Sequence, residues 1–217
     1  TVALRFLGSL MLVEKSMSNL MQKNAVQEVM FDPLSYIHPA RFRLSDNLMQ
    51  SSQRAVINDM LLRCYQLTTA DTTAMLLGGV TLTMIKHWRR LPQIAFLFGC
   101  YRLRNALARR GALLRLPEWA RLFAEMPLCV DTSSMSNSAL HMKDISTELS
   151  VDMIYAQGLG EFLSWQTALP LWLRQRLSLQ FSPQTEAWLQ NNTLRLAMQP
   201  SPNIFLFTFA MQYAKNH

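Results

Sequence analysis

Glycine is scarce in this chain, seven residues in 217, and acidic groups are outnumbered, 14 Asp and Glu against 21 Lys and Arg. With half the residues hydrophobic, so little glycine excludes collagen-like, disordered and coiled-coil classes and leaves enough apolar material for one fair-sized core or two small ones. Cysteine is nearly absent. Cys64, Cys100 and Cys129 make an odd set with no C-x-x-C spacing and no clustering with His. That excludes a secreted disulfide scaffold and predicts free, mostly buried thiols in a reducing compartment. Long apolar runs are missing as well. Leu196 to Ala214, the longest charge-free stretch, is cut by Pro200 and Pro202, so no transmembrane helix is expected. Phe6 to Val13 is a short apolar run behind Arg5, but Glu14 and Lys15 follow at once and no small-x-small cleavage site appears. Residues 1–27 read as a poorly ordered or loosely docked amphipathic lead-in, and a cytoplasmic location is expected.

What is present in excess is arginine, and it is concentrated. Between Lys86 and Arg121 nine cationic residues face Glu118 alone, so the rest of the chain is close to neutral and electrostatic docking should involve one central segment. Arginine outnumbers lysine 16 to 5. Planar guanidinium groups pair bidentately with carboxylates and are enriched at protein interfaces, where lysine is depleted. The alternative for any such run is a solvated face.

The punctuation is that of helices. Asp32-Pro33 resembles an N-cap followed by a first-turn proline, and His38-Pro39 returns the backbone to extended geometry. Ile57, Met60, Leu61 and Cys64 repeat at i, i+3, i+4, i+7 and predict a helix over Ser51–Leu67 with that stripe buried. Thr72–Arg90 can form a second helix, weakened at Gly78-Gly79. Pro92–Arg110 reads as a third, closed by Gly111. Pro117 opens a short helix with Trp119, Leu122, Phe123 and Met126 as its apolar stripe, and Pro127 ends it. Further helical patterns cover Met153–Trp165, Pro170–Leu177, Pro183–Met198, with Ser182 as cap, and Ile204–Lys215. The fold class is mainly α: a single irregular multi-helix domain, or one with a small C-terminal helical subdomain. The parts are a lead-in (1–27), an N-terminal helical part with the basic segment (28–130), a Ser/Thr-rich flexible connection (131–150) and a C-terminal helical part (151–217).

Catalysis needs convergent groups. His38, His87, His141 and His217 are far apart and fit no catalytic signature, and no His or Cys pair has helical metal-ligand spacing. Gly78-Gly79 lacks a phosphate-loop frame. No enzyme, cofactor or metal is expected. A nucleic-acid reading has some shape, because Ala95 and Gly99 imitate the small residue and turn glycine of a helix-turn-helix. Asn105 speaks against it, standing where such a motif buries an aliphatic side chain.

Two strings go further: Phe31-Asp32-Pro33-Leu34-Ser35-Tyr36-Ile37-His38-Pro39-Ala40-Arg41, and Trp88-Arg89-Arg90-Leu91-Pro92-Gln93 running through Gly99-Cys100 to Leu107-Ala108-Arg109-Arg110-Gly111-Ala112-Leu113-Leu114. With Leu116-Pro117-Glu118-Trp119-Ala120 and Met211-Gln212-Tyr213-Ala214-Lys215, they resemble the OrgA/MxiK (SctK) family of type III secretion systems. The likeness is good from about residue 29 to 126 and patchy from about 153 to 215. It implies a non-enzymatic adaptor of the cytoplasmic sorting platform at the cytoplasmic face of the inner membrane. Its partners would be the inner-membrane ring protein (SctD, PrgH-like) and the pod protein (SctQ, SpaO-like), and through them the stator (SctL, OrgB-like) and ATPase. The membrane would be met only through partners, and nucleic acid not at all. A basic helix-turn-helix DNA-binding protein is the runner-up. The family supplies no catalytic residues. Contact residues are our own expectation: a fixed loop at Tyr36, His38 and Pro39, and a docking stripe of Arg102, Arg109 and Arg110 on one helix quadrant, with Arg89 and Arg90 as further contacts. For Phe31 to Pro39 a merely packed turn is the open alternative.

Overall fold

The computed structural model describes residues 21–44, 51–70, 78–109, 111–127, 150–165, 168–191 and 203–215. Among these residues there are ten helices and no strand, as the helical punctuation requires. They are α1 (21–31), α2 (Ser51–Cys64), α3 (Gly79–Lys86), α4 (Leu91–Arg102), α5 (Arg104–Arg109), α6 (Glu118–Glu125), α7 (Val151–Leu163), α8 (Leu171–Leu179), α9 (Pro183–Asn191) and α10 (Ile204–Lys215). Short 3-10 turns lie at Pro33–Ser35, Trp88–Arg90 and Ala112–Arg115. The Ser/Thr-rich connection lies outside the described residues up to Ser150.

Two compact units result, and they interleave along the chain. The first takes residues to Tyr36, Leu44–Trp88 and Ala168–Arg176; the second takes Ile37–Arg43, Arg89–Thr167 and Leu177 onward. This grouping follows packing and differs from a cut near residues 130–150. Similarly, α1 begins within the segment read as lead-in and buries Val26, Val29 and Met30.

In the first unit a polar lock sets α2. Asp32 accepts from Arg54 Nη2 at 2.6 Å and from Asn58 Nδ2 at 2.7 Å, while Leu34 N–H donates to Asn58 Oδ1 at 3.0 Å. Asn58 and Leu61 are therefore the buried positions of α2. The stripe expected from spacing fails in part: Met60 is 44% exposed and Cys64 is exposed. Hydrogen-bonding Asn58 to the Pro33 turn rotates the helix away from the face that periodicity alone selects. Gly78 caps α3, so the second helix starts where the glycines were expected to weaken it.

The second unit is built on α4, which is buried from Ile94 to Tyr101 on every side. It crosses α7 so closely that a Cβ on Gly158 would lie 1.8 Å from the Ala95 carbonyl oxygen, and one on Gly99 would lie 1.9 Å from that of Ile154. Gly99 is thus a helix-interior contact and not a turn, which removes the helix-turn-helix reading: the small residues serve a helix crossing. The expected third helix breaks instead at Leu103 and resumes as α5. Gly111 closes it as expected, left-handed at φ +64° with its N–H on Ala108 O at 3.1 Å. On α6 the buried face is Ala120, Phe123 and Ala124, whereas Leu122 is 47% exposed. Small alanines let α6 approach α4, and the expected stripe is correct only at Phe123 and, half-buried, at Trp119 and Met126.

Ser182 caps α9 as expected, its Oγ accepting from Thr185 N–H at 3.0 Å. Both hydroxyls donate to Asp152 Oδ1 of α7, at 2.5 and 2.8 Å, which ties the α9 cap to α7. On α10, Phe207 packs on Phe98, Phe162 and Trp165, and Tyr213 donates to Trp119 O at 2.8 Å.

The thiols divide. Cys100 has no exposure and burial pushes its pKa up to about 12, whereas Cys64 is exposed at the end of α2; Cys129 lies outside the described residues. Iodoacetamide near neutral pH should alkylate Cys64 in the native protein and reach Cys100 only after denaturant, because only an accessible thiolate reacts. Peptide mass spectrometry with and without urea checks this.

Candidate functional site

The turn after α1 is held by its own chain. Tyr36 donates to Val29 O at 2.8 Å and sets its ring edge-on to Trp88 at 5.3 Å, and burial raises its pKa well above the usual phenol range. A side chain so used is a packing element. His38 N–H donates to Leu179 O at 2.8 Å, while its Nδ1 accepts from Ala40 N–H at 3.1 Å. Pro39 is exposed at the tip. Arg41 secures the same turn, bonding Phe181 O at 2.7 Å and pairing with Glu186 at 2.5 Å.

Arg102 faces inward. Its Nε lies 2.6 Å from Glu161 Oε1, with the two side chains 7% and 5% exposed, and the contact is off the hydrogen-bond line. Burial raises the Glu161 pKa from its ordinary value while Arg102 opposes that rise. The expected stripe is therefore corrected: Arg102 turns inward to balance a buried carboxylate, and the break at Leu103 ends the single wheel on which the quadrant was drawn. Arg109 is exposed and Arg110 lies outside the described residues. Leaving one of two buried charges alone is costly, so Arg102→Leu should cost about 3 kcal/mol, while Arg102→Leu with Glu161→Met should return to within about 1 kcal/mol of the parent. Urea midpoints of the three proteins decide it; equal losses in the single and double variants would show that the pair's charges are not what matters.

The remaining arginines sort to the two ends of α4. Arg89 and Arg90 are exposed in the 3-10 turn before it. Past its other end come Arg104, whose guanidinium sits 4.4 Å over the Tyr101 ring, then Arg109 and Arg115. A twelve-residue helix rises about 18 Å, so these are two basic patches and not one. Arg104 and Arg115 were absent from the expected contact set. The signal was available in the run from Arg104 to Arg115, which holds no acidic residue.

No group of three or more His, Cys, Asp or Glu that could hold a metal occurs among the described residues. A depression of about 430 Å³ beside α2 is open and lined by Phe31, Arg54, Ala55, Asn58, Asp59 and Leu62, with no nucleophile beside a base. Among the described residues no helix is long and apolar enough to cross a membrane.

Residues 26–216 match the family described as bacterial type III secretion apparatus protein (OrgA_MxiK). The oxygen-regulated invasion protein OrgA of Salmonella typhimurium, in three strains, is 33% identical over 192 residues, covering 88% of this chain and 87% of the relative. No solved structure matches the chain. Spanning nearly all the helices described above, these matches mean that the chain belongs to the OrgA/MxiK family of type III secretion apparatus proteins.

Proposed function

We propose that this type III secretion apparatus protein is a non-enzymatic adaptor in the cytoplasm. It joins the cytoplasmic domain of the inner-membrane ring protein to the pod protein of the sorting platform, and so to the stator and ATPase. The observation that carries the reading is family membership over residues 26–216. The surface chemistry supports it: exposed arginine in place of lysine suits recognition of carboxylates on folded partners. With basic patches at both ends of α4, one chain has separate places for two acidic surfaces.

The test is copurification. Tagged inner-ring cytoplasmic domain should retain this chain, and through it the pod protein, when all three are coexpressed from one genome. Retention of the pod protein without this chain would contradict a linking role. Strong retention of this chain on duplex DNA, falling steeply with salt, would favour nucleic-acid binding instead.

A further inference from the structure

The segment Arg104–Arg115 carries a feature that folding does not explain. Ala112–Arg115 forms an ordered 3-10 turn, closed by Leu114 N–H on Gly111 O and Leu116 N–H on Leu113 O, yet it buries none of its residues. Leu114 is 74% exposed, the most exposed large apolar side chain described, and Leu113 is only half-buried. Leu114 therefore adds little to the core, and Leu113 only part of its surface. On either side are Arg109 and Arg115, both exposed and without a carboxylate partner among the described residues. Arg104 is held over Tyr101. The four arginines of residues 104–115 face no acidic residue in the same stretch.

We propose that α5 and the Ala112–Arg115 turn form a docking site for an acidic segment of a protein partner, one that pairs carboxylates with Arg109 and Arg115 and covers Leu114 with an apolar side chain. The proposal rests on the adaptor reading and assigns it a surface. Charge complementarity selects the occupant: exposed Arg109 and Arg115, in a stretch from 104 to 115 that holds no acidic residue, favour an acidic surface over a basic or neutral one. Apolar contact beside guanidinium groups is the composition of protein interfaces. Duplex DNA is disfavoured because Arg102 is turned inward and Gly99 makes no turn. An anionic membrane is disfavoured because one exposed leucine is far less apolar area than an interfacial helix inserts. Gly111 contributes by fixing the corner: its left-handed backbone sets the turn before any partner arrives, so little ordering is needed on binding.

The experiment titrates the full-length chain separately with the pod protein and with the inner-ring cytoplasmic domain of the same genome. Three variants are compared: Arg109→Glu with Arg115→Glu, Leu114→Ser, and Lys23→Glu with Lys86→Glu. The last makes the same change in total charge at exposed lysines elsewhere. The site predicts that the arginine variant loses about thirty-fold or more in affinity for one of the two proteins, as truncated hot spots do, that Leu114→Ser weakens the same partner, and that the lysine variant binds like the parent. Circular dichroism melts should be unchanged throughout, since these side chains are exposed. If both proteins bind the arginine variant and the parent alike, or if the lysine variant loses as much, the proposed site is wrong and the adaptor reading stands. Failure of the parent to bind either protein overturns both. An effect confined to the chain's own oligomeric state, to vesicles of anionic phospholipid or to duplex DNA overturns the site.

Discussion

Gly158→Ala should lower the thermal midpoint by roughly 6–12 °C, a loss of at least about 3 kcal/mol for a chain of this size. Helix propensity alone argues the opposite, because alanine inside a helix is favoured over glycine by about 1 kcal/mol. Packing decides the sign. The added Cβ would stand 1.8 Å from Ala95 O, 2.5 Å from Ala95 C and 2.7 Å from Ala95 Cα, all backbone atoms that no rotamer change can move. Relief requires α4 and α7 to separate by more than an ångström, which loosens the packing of neighbours such as Phe98 against Phe162. Gly99→Ala meets Ile154 O at 1.9 Å and should behave alike, whereas Gly79→Ala, with nothing within 4 Å, should leave the midpoint within about a degree or two of the parent. Melting curves of the three variants are the measurement, and a Gly158→Ala protein as stable as the parent would refute the close crossing.

Arg176→Met should cost about 4 kcal/mol. Arg176 is fully buried and its guanidinium pairs with no carboxylate in the described residues; burial pulls its pKa down from the ordinary guanidinium value. What stabilises the charge is backbone. Nε and Nη2 donate to Met30 O at 3.2 and 2.8 Å, and Nη1 to Thr68 O at 2.8 Å and Trp172 O at 2.9 Å. Met30 O belongs to the last turn of α1, where helix carbonyls lack intrahelical donors and the dipole is negative. One side chain thus joins the end of α1, the segment after α2 and α8. Methionine keeps the volume but strands buried carbonyls, each worth about 1–3 kcal/mol unsatisfied. Arg176→Lys keeps the charge without the fork and should recover less than half of the loss. Urea unfolding followed by circular dichroism gives both values; a methionine variant within about 1 kcal/mol of the parent would show the carbonyls find water instead.

Such a hub could not be found from the sequence, because nothing in the spacing of Arg176 tells that two distant carbonyls, those of Met30 and Thr68, converge on it. Local chemistry was legible. Ser182-Pro183, Gly111 and Pro127 placed helix ends correctly, since caps and breakers act through the residues beside them, whereas Asp32-Pro33 opens only a 3-10 turn and the helix before it was not expected. Faces were less so. On α2, Asn58 outweighed the apolar period by bonding Asp32 and Leu34, and on α6 two alanines took the buried side because close approach favoured small residues. The pair Ala95 and Gly99 shows the same limit: a small residue and a glycine four apart suit a turn or a helix crossing equally, and only Gly158 on α7 decides between them. Arg102 was misread for a related reason. Its counter-charge, Glu161, comes from a helix far along the chain, so the concentrated basic segment looked uniformly exposed when one member was turned inward.

As proposed above, this chain links two other proteins of the secretion apparatus. Coexpression with the pod protein and the inner-ring cytoplasmic domain, followed by size exclusion with light scattering at low and high salt, tests it most directly. One species containing all three proteins is expected at low salt, weakened at high salt because arginine–carboxylate contacts are screened. A chain that elutes alone beside both proteins at both salt concentrations would contradict it.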